Sequence, residues 1–81
     1  MGIEGAYFFI ETRVGETRGV LRKIKETVRE AESSMITGPY DVVTIVRCKE
    51  LDKIGSTETF IKAVPGVIRV VACLIDTKTK K

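Results

Sequence analysis

The residues with the clearest capacity for chemistry form one short cluster, Thr37-Gly38-Pro39-Tyr40-Asp41, between two apolar runs. The Asp41 carboxylate can pair with an ammonium group, and backbone N–H groups around Gly38 can receive a carboxylate. Thr37 adds a hydroxyl group and Tyr40 can wall a pocket. The same residues also suit a β-turn, because proline fixes φ and Asp41 can hydrogen-bond nearby backbone. The cluster is therefore either a ligand site or only a turn.

The other reactive side chains do not form a catalytic or metal-binding set. The chain has no histidine and two cysteines, Cys48 and Cys73, whereas a closed zinc site needs four nitrogen or sulfur ligands. Asp41 and Asp52 could each act as a general acid or base, but no histidine or second acid can be placed beside either. The glycines of residues 15–19 lack the spacing of a phosphate-binding loop. We therefore predict that the protein is not an enzyme and uses no cofactor.

Length and composition indicate one small globular domain. The 81 residues are predicted to form a single domain, with 43% hydrophobic residues, 31% charged residues and a net charge of +3. The last five residues hold three lysines, and we predict that residues 77–81 are a flexible basic tail without direct DNA binding. No secretory signal and no apolar run of the ~20 residues that cross a membrane is present. A cytoplasmic protein without membrane contacts is expected.

Apolar periodicity predicts six elements. Val20, Leu21, Ile24, Val28 and Ala31 recur at helical spacing, whereas β-branched and aromatic runs are typical of strands. The predicted order is strand Ala6–Arg13, helix Thr17–Glu32, strand Ser33–Thr37, strand Val42–Cys48, helix Leu51–Ala63 and strand Val67–Asp76. Gly19 could let the first helix pack closely on a strand. The sequence leaves open whether Gly55-Ser56-Thr57 interrupts the second helix.

This order predicts a ferredoxin-like α+β fold of βαββαβ type. Right-handed crossovers favour a four-stranded antiparallel sheet in the order 4-1-3-2. Cys48 and Cys73 then lie on strands that are not neighbours, so we predict no internal disulfide and two reduced, buried thiols.

Both faces of this sheet are predicted to be apolar, because side chains alternate along each strand. In the last strand the two predicted sets are Val67, Val71, Cys73 and Ile75 against Ile68, Val70, Ala72 and Leu74. Two helices cover one face, so we expect a second copy to cover the other in a sheet-to-sheet dimer, as in dimeric α+β barrels. The termini are the alternative cover for that face.

Four motifs carry a resemblance to a known family: Ala6-Tyr7-Phe8-Phe9-Ile10, Val14-Gly15-Glu16, Ile36-Thr37-Gly38-Pro39-Tyr40-Asp41-Val42-Val43 and Val64-Pro65-Gly66-Val67-Ile68-Arg69. In order and spacing they resemble the C-terminal effector-binding module, or RAM domain, of the Lrp/AsnC family. The resemblance runs from about Ala6 to Asp76. It implies dimers that pair through their sheets and associate further, with amino acids or similar effectors bound between dimers near the Thr-Gly-x-Tyr-Asp loop.

The ligand-binding positions that the resemblance implies are Thr37, Gly38, Tyr40, Asp41, Val70 and Ala72. The family usually has threonine or serine after Pro-Gly-Val-x-Arg, so Val70 and Ala72 favour an apolar effector or none. The first strand is predicted to start at Ala6, which leaves no room for the family's DNA-binding helix-turn-helix. The expected function is therefore a stand-alone effector-sensing and oligomerisation module related to transcription regulation, which could also assemble with full-length regulators.

Two other classes of protein share this topology. A small dimeric α+β barrel enzyme would need a cavity lined by acid–base residues, and the bulky side chains of residues 8–10 argue against such a cavity. An ACT-like regulatory domain pairs its sheets side by side. That arrangement would leave the second apolar face bare, so it is the less favoured alternative.

Overall fold

The computed structural model describes residues 2–77 and contains the six predicted elements in the predicted order. They are β1 (Ile3–Thr12), α1 (Thr17–Thr27), β2 (Glu32–Met35), β3 (Val42–Val46), α2 (Leu51–Lys62) and β4 (Val67–Asp76). All strand pairs are antiparallel and the sheet order is β2-β3-β1-β4. The ferredoxin-like α+β fold is therefore confirmed.

The predicted tail of residues 77–81 lies outside the described residues except for Thr77. The Thr77 backbone N–H donates to the Gly2 carbonyl at 2.8 Å. This hydrogen bond joins the end of β4 to the beginning of β1.

The core lies between the sheet and the two helices. Every second residue of β1 from Ala6 onward points into it, because side chains alternate across a strand. α1 lies against β2, and α2 lies against β4 and β1. The buried apolar residues are Ala6, Phe8, Ile10, Val20, Ile24, Val28, Val42, Val46, Ile54, Ile61 and Val64. We call this side of the sheet the helix-covered face.

Helix α1 ends at Thr27, earlier than the predicted end at Glu32. Val28 leaves the helical conformation although its N–H still bonds to the Ile24 carbonyl at 2.8 Å. The chain must turn back here, because Glu32 already pairs with Ile45 in the sheet. Both ends of β1 and β2 and the end of β3 differ from the prediction by one to three residues, with β1 beginning at Ile3 instead of Ala6, whereas β4 has the predicted bounds.

Helix α2 runs through residues 55–57 without a break, which settles a question that the sequence left open. The Ser56 hydroxyl donates to the Asp52 carbonyl at 3.0 Å, and the Thr57 hydroxyl donates to the Lys53 carbonyl at 2.9 Å. These side chains therefore bond to the helix backbone one turn earlier and do not divert the chain.

Two predictions about β4 side chains are wrong. Cys73 is exposed, not buried, because it lies on the sheet face without helices, and Cys48 is half-buried; both are free thiols. Val67 packs against the core, although alternation along the strand predicted that its side chain lies on the same face as that of Val71. A register irregularity opposite Glu11 and Thr12 inserts an extra residue into β4, which reverses the alternation at that point.

The expected close packing of Gly19 is also wrong, because a Cβ atom there would meet no heavy atom within 4 Å. We therefore expect Gly19→Ala to stabilise the protein by about 0.5–1 kcal/mol, since alanine is the better helix former. The midpoint of thermal unfolding should rise by about 2–8 °C. Gly38→Ala is the matched control: it also faces open space but has φ +123°, so it should lower the midpoint. A lower midpoint for Gly19→Ala would contradict the expectation.

Candidate functional site

The sheet face opposite the helices is apolar, and we call it the outer face. Its apolar patch consists of Tyr7, Phe9, Val43, Ile45, Val71, Cys73 and Ile75, and the polar residues Glu11, Arg69, Glu32 and Ser34 share this face in the strand register. The rings of Tyr7 and Phe9 stack with centroids 6.2 Å apart. Phe9 lies between Val43 and Val71 in the strand register. Tyr7 is 37% exposed, and the others shield one another only in part.

The loop of residues 36–41 joins β2 to β3 at one end of this face. Two backbone hydrogen bonds hold it: Ile36 N–H to the Asp41 carbonyl and Asp41 N–H to the Ile10 carbonyl, both at 2.9 Å. Gly38 has φ +123°, a conformation that favours glycine over other residues. In the part of the chain that the structure describes, the N–H groups of Thr37 and Gly38 have no hydrogen-bond acceptor.

The Asp41 carboxylate anchors this loop to the end of β1. Its Oδ2 accepts the Thr12 backbone N–H at 2.8 Å and lies 3.3 Å from the Thr12 hydroxyl. Thr12 Oγ1 is in turn 2.6 Å from Thr17 Oγ1 at the start of α1. Among residues 2–77, no hydrogen bond uses Asp41 Oδ1. One carboxylate oxygen is thus structural and the other is available.

Sequence reasoning missed Thr12, although the strand pattern contained a signal for it. Alternation from Ala6, Phe8 and Ile10 puts Thr12 on the buried side, and it is 6% exposed. A buried threonine needs hydrogen-bond partners, so a polar residue in a core register predicts a polar contact.

Tyr40 connects the loop to the outer face. Its ring lies 5.9 Å from the ring of Phe9, and the Arg69 guanidinium lies 5.3 Å above the Tyr40 ring. Arg69 Nε also lies 3.5 Å from Glu11 Oε1. The role of Arg69 was not predicted, but a single arginine in an apolar strand is the signal that could have found it. Loop and outer face therefore form one continuous surface.

The structure brings together four of the six predicted ligand-binding residues. Thr37, Gly38, Tyr40 and Asp41 share the 36–41 loop. Val70 pairs with Ile10 and Ala72 pairs with Phe8. Both therefore lie on the helix-covered face, on the other side of the sheet from Tyr40.

No group of three or more histidine, cysteine, aspartate or glutamate side chains among residues 2–77 could hold a metal ion. No helix in that part of the chain is long and apolar enough to cross a membrane.

Fold and site together define a ferredoxin-like α+β domain with a bare apolar sheet face and a loop packed at its end. No family model and no curated protein matches the sequence. Among solved structures, the chain is similar to TTHA0845 from Thermus thermophilus, with 28% identity and a TM-score of 0.84 over 98% of this chain and 100% of that one.

Two other solved structures share the fold. FFRP-DM1 is 21% identical with a TM-score of 0.80, over 90% of this chain and 99% of that one. The hypothetical protein PHS023 from Pyrococcus horikoshii is 19% identical with a TM-score of 0.78, over 93% of this chain and 92% of that one. These likenesses show that the chain shares its fold with these proteins.

Proposed function

We propose that this chain is an effector-sensing and oligomerisation module of the Lrp/AsnC type. In this proposal the outer faces of two copies pack together, and the 36–41 loop binds an amino acid or a similar small molecule. The observation that carries the proposal is the position of Tyr40, which packs on Phe9 of the outer face from within the loop. Binding at the loop would therefore act directly on the surface that pairs the subunits.

The outer face supports the dimer. Seven mostly apolar side chains lie side by side with both helices on the opposite face. A monomer rarely exposes a contiguous apolar patch larger than a few hundred Å², roughly what seven such side chains present. A second copy, packed about 10 Å away face to face, would remove both patches from water at once.

The loop supports binding of a small molecule with two charged ends. The N–H groups of Thr37 and Gly38 offer donors for a carboxylate, and Asp41 Oδ1 offers an acceptor for an ammonium group. Tyr40 would form the wall between them. Val70 and Ala72 lie on the opposite side of the sheet, so the proposal gives them no ligand contact. It assigns no reaction to the chain.

Calorimetry against the twenty amino acids tests the binding site, with Asp41→Asn as the matched variant. The asparagine side-chain oxygen can still accept the Thr12 N–H, so the free energy of unfolding should change by less than about 1 kcal/mol. The lost charge should weaken binding of any amino acid that binds by about ten- to a hundredfold. Absence of heat with all twenty, or equal binding by wild type and Asp41→Asn, would contradict the proposed site.

Sedimentation velocity with and without the bound amino acid then tests the link to assembly. A change in the distribution of oligomers on binding is expected, because Tyr40 contacts both the loop and the outer face. Binding without any change in the distribution of oligomers would support the ligand site but contradict the sensing function.

A further inference from the structure

A groove between α1 and β2 lies on the helix-covered side of the sheet, and Met35 in its lining directly precedes the 36–41 loop. Its apolar lining residues, which we call its floor, are Leu21 of α1 and Met35 of β2. It is also lined by Glu26 and by four cations that we call the basic stripe: Arg18, Arg22, Lys25 and Arg29. The groove has a volume of about 450 Å³. All four cations are exposed, and none forms an ion pair within the described residues.

Four of the eleven lysines and arginines of residues 1–77 line this groove. The three lysines of residues 78–81 account for the whole net charge of +3, so residues 1–77 are neutral overall. Helix α1 nevertheless has four basic residues and one acidic residue, Glu26. One face of a neutral domain thus carries a local excess of positive charge.

Helix stability does not explain the basic stripe. Arg18 lies in the first turn of α1, which contains no acidic residue, although the helix dipole favours negative charge there. Arg18 and Arg22 are four residues apart in α1, and such a like-charged pair costs about 0.2–0.5 kcal/mol. Lys25 lies in the last turn, where the helix dipole favours a cation, and Arg29 lies beyond the end of the helix. The cations at the start of α1 thus weaken the helix slightly, so a partner that gains from the basic stripe is the better explanation.

The floor of the groove indicates what kind of partner fits. Met35 is 49% exposed, and methionine adapts to varied apolar side chains. No aromatic ring lines the groove to stack on a base, and Glu26 on its wall would repel a phosphate chain. A polypeptide can match all of these features, because it combines carboxylates with an apolar side chain. Its backbone N–H groups can also donate hydrogen bonds to the Glu26 carboxylate.

We propose that this groove binds an acidic segment of a partner protein. One apolar side chain of that segment would lie on Leu21 and Met35, and its flanking aspartate or glutamate residues would pair with the basic stripe. This inference does not depend on the proposed effector site, which lies at the loop of residues 36–41.

Fluorescence anisotropy with a labelled synthetic peptide tests the inference. The probe carries one leucine with several glutamates on each side, and the full chain is titrated into it at low and physiological salt. The double variant Arg22→Glu, Lys25→Glu should weaken binding at least about tenfold, because attraction becomes repulsion. Affinity should also fall as salt increases. The matched control is Lys23→Glu, on the same helix but not lining the groove, which should bind as wild type does.

The apolar floor has its own test. Met35→Ser should weaken binding of the leucine peptide but not of the same peptide with serine in place of leucine. Equal binding by a glutamine version of the peptide, or equal loss in Lys23→Glu, would overturn the inference. Tighter binding of a DNA duplex than of the peptide would also overturn it, in favour of a nucleic-acid surface. A midpoint of thermal unfolding equal to that of wild type shows that a variant loses binding without losing stability.

Discussion

Gly5→Ala is expected to destabilise the protein by about 3 kcal/mol or more, the largest effect of a single methyl group in this domain. A Cβ at position 5 would overlap the Val46 carbonyl oxygen and lie 3.0 Å from the Arg47 Cα. These are backbone atoms of the neighbouring strand region, so no side-chain rotation can make room. Gly5 also has φ +153°, which L-residues rarely adopt. Strands β1 and β3 would have to separate at the end of their pairing that lies next to Gly5.

Urea unfolding followed by circular dichroism measures this effect, at one fixed protein concentration because the proposed dimer would contribute to the measured stability. A domain of this size has a total stability of about 4–12 kcal/mol, so a large shift of the midpoint or loss of the folded state is expected. Gly19→Ala adds the same methyl group in open space and serves as the control. A Gly5→Ala midpoint equal to that of wild type would mean that β1 and β3 are farther apart here than described.

Phe9→Glu is expected to separate the proposed dimer into monomers that stay folded. Phe9 lies at the centre of the outer face, between Val43 and Val71, and contacts the rings of Tyr7 and Tyr40. Central aromatic residues contribute about 2–4 kcal/mol to an interface, which raises the dissociation constant roughly 30- to 1000-fold. The fold should survive, because the core lies on the other face and contains Phe8 but not Phe9.

Sedimentation equilibrium across a range of protein concentrations measures the dissociation constant. Leu51→Glu is the control, since Leu51 is an exposed apolar residue of α2, on the helix-covered side.

Cys73 gives a second readout of the proposed dimer. Its thiol is exposed in a single subunit and lies on the outer face, so a dimer should slow its reaction with a thiol reagent. Phe9→Glu should restore fast reaction. A wild-type chain that sediments as a monomer at high concentration would remove the dimer and the assembly part of the proposed function.

The two proposed surfaces can fail separately. The groove lies between α1 and β2, whereas the dimer uses the sheet face without helices. Phe9→Glu should therefore leave peptide binding unchanged, and the Arg22→Glu, Lys25→Glu variant should leave the dimer unchanged.

Much of the fold could be predicted from local patterns. The alternation of Ala6, Phe8 and Ile10 and the helical spacing of Val20 and Ile24 each arise within one element, where geometry fixes which residues share a side. The order of elements, with right-handed crossovers, then leaves few sheet arrangements. The strand order and the presence of a second apolar face were therefore predictable, as was a turn between the second and third strands, although β2 ends at Met35 and not at the predicted Thr37.

The candidate site was less predictable, because its contacts join residues that are far apart in the chain. Asp41 bonds to Thr12 and Tyr40 packs on Phe9, and neither pair follows from a motif. The sequence placed Val70 and Ala72 on one face of β4, but only their pairing with Ile10 and Phe8 shows that this is the helix-covered face.

By itself the sequence determined the elements, their order and the apolar character of both sheet faces, since these depend on neighbours within a few residues. Only the tertiary structure decided that Asp41 has one oxygen occupied, that Cys73 is exposed and that Gly5 lies against the Val46 carbonyl. The physical reason is that strand register, with its irregularities at Ile3/Gly5 and at Glu11/Thr12, sets these distances. Register is a property of two strands together, and neither strand's sequence contains it alone.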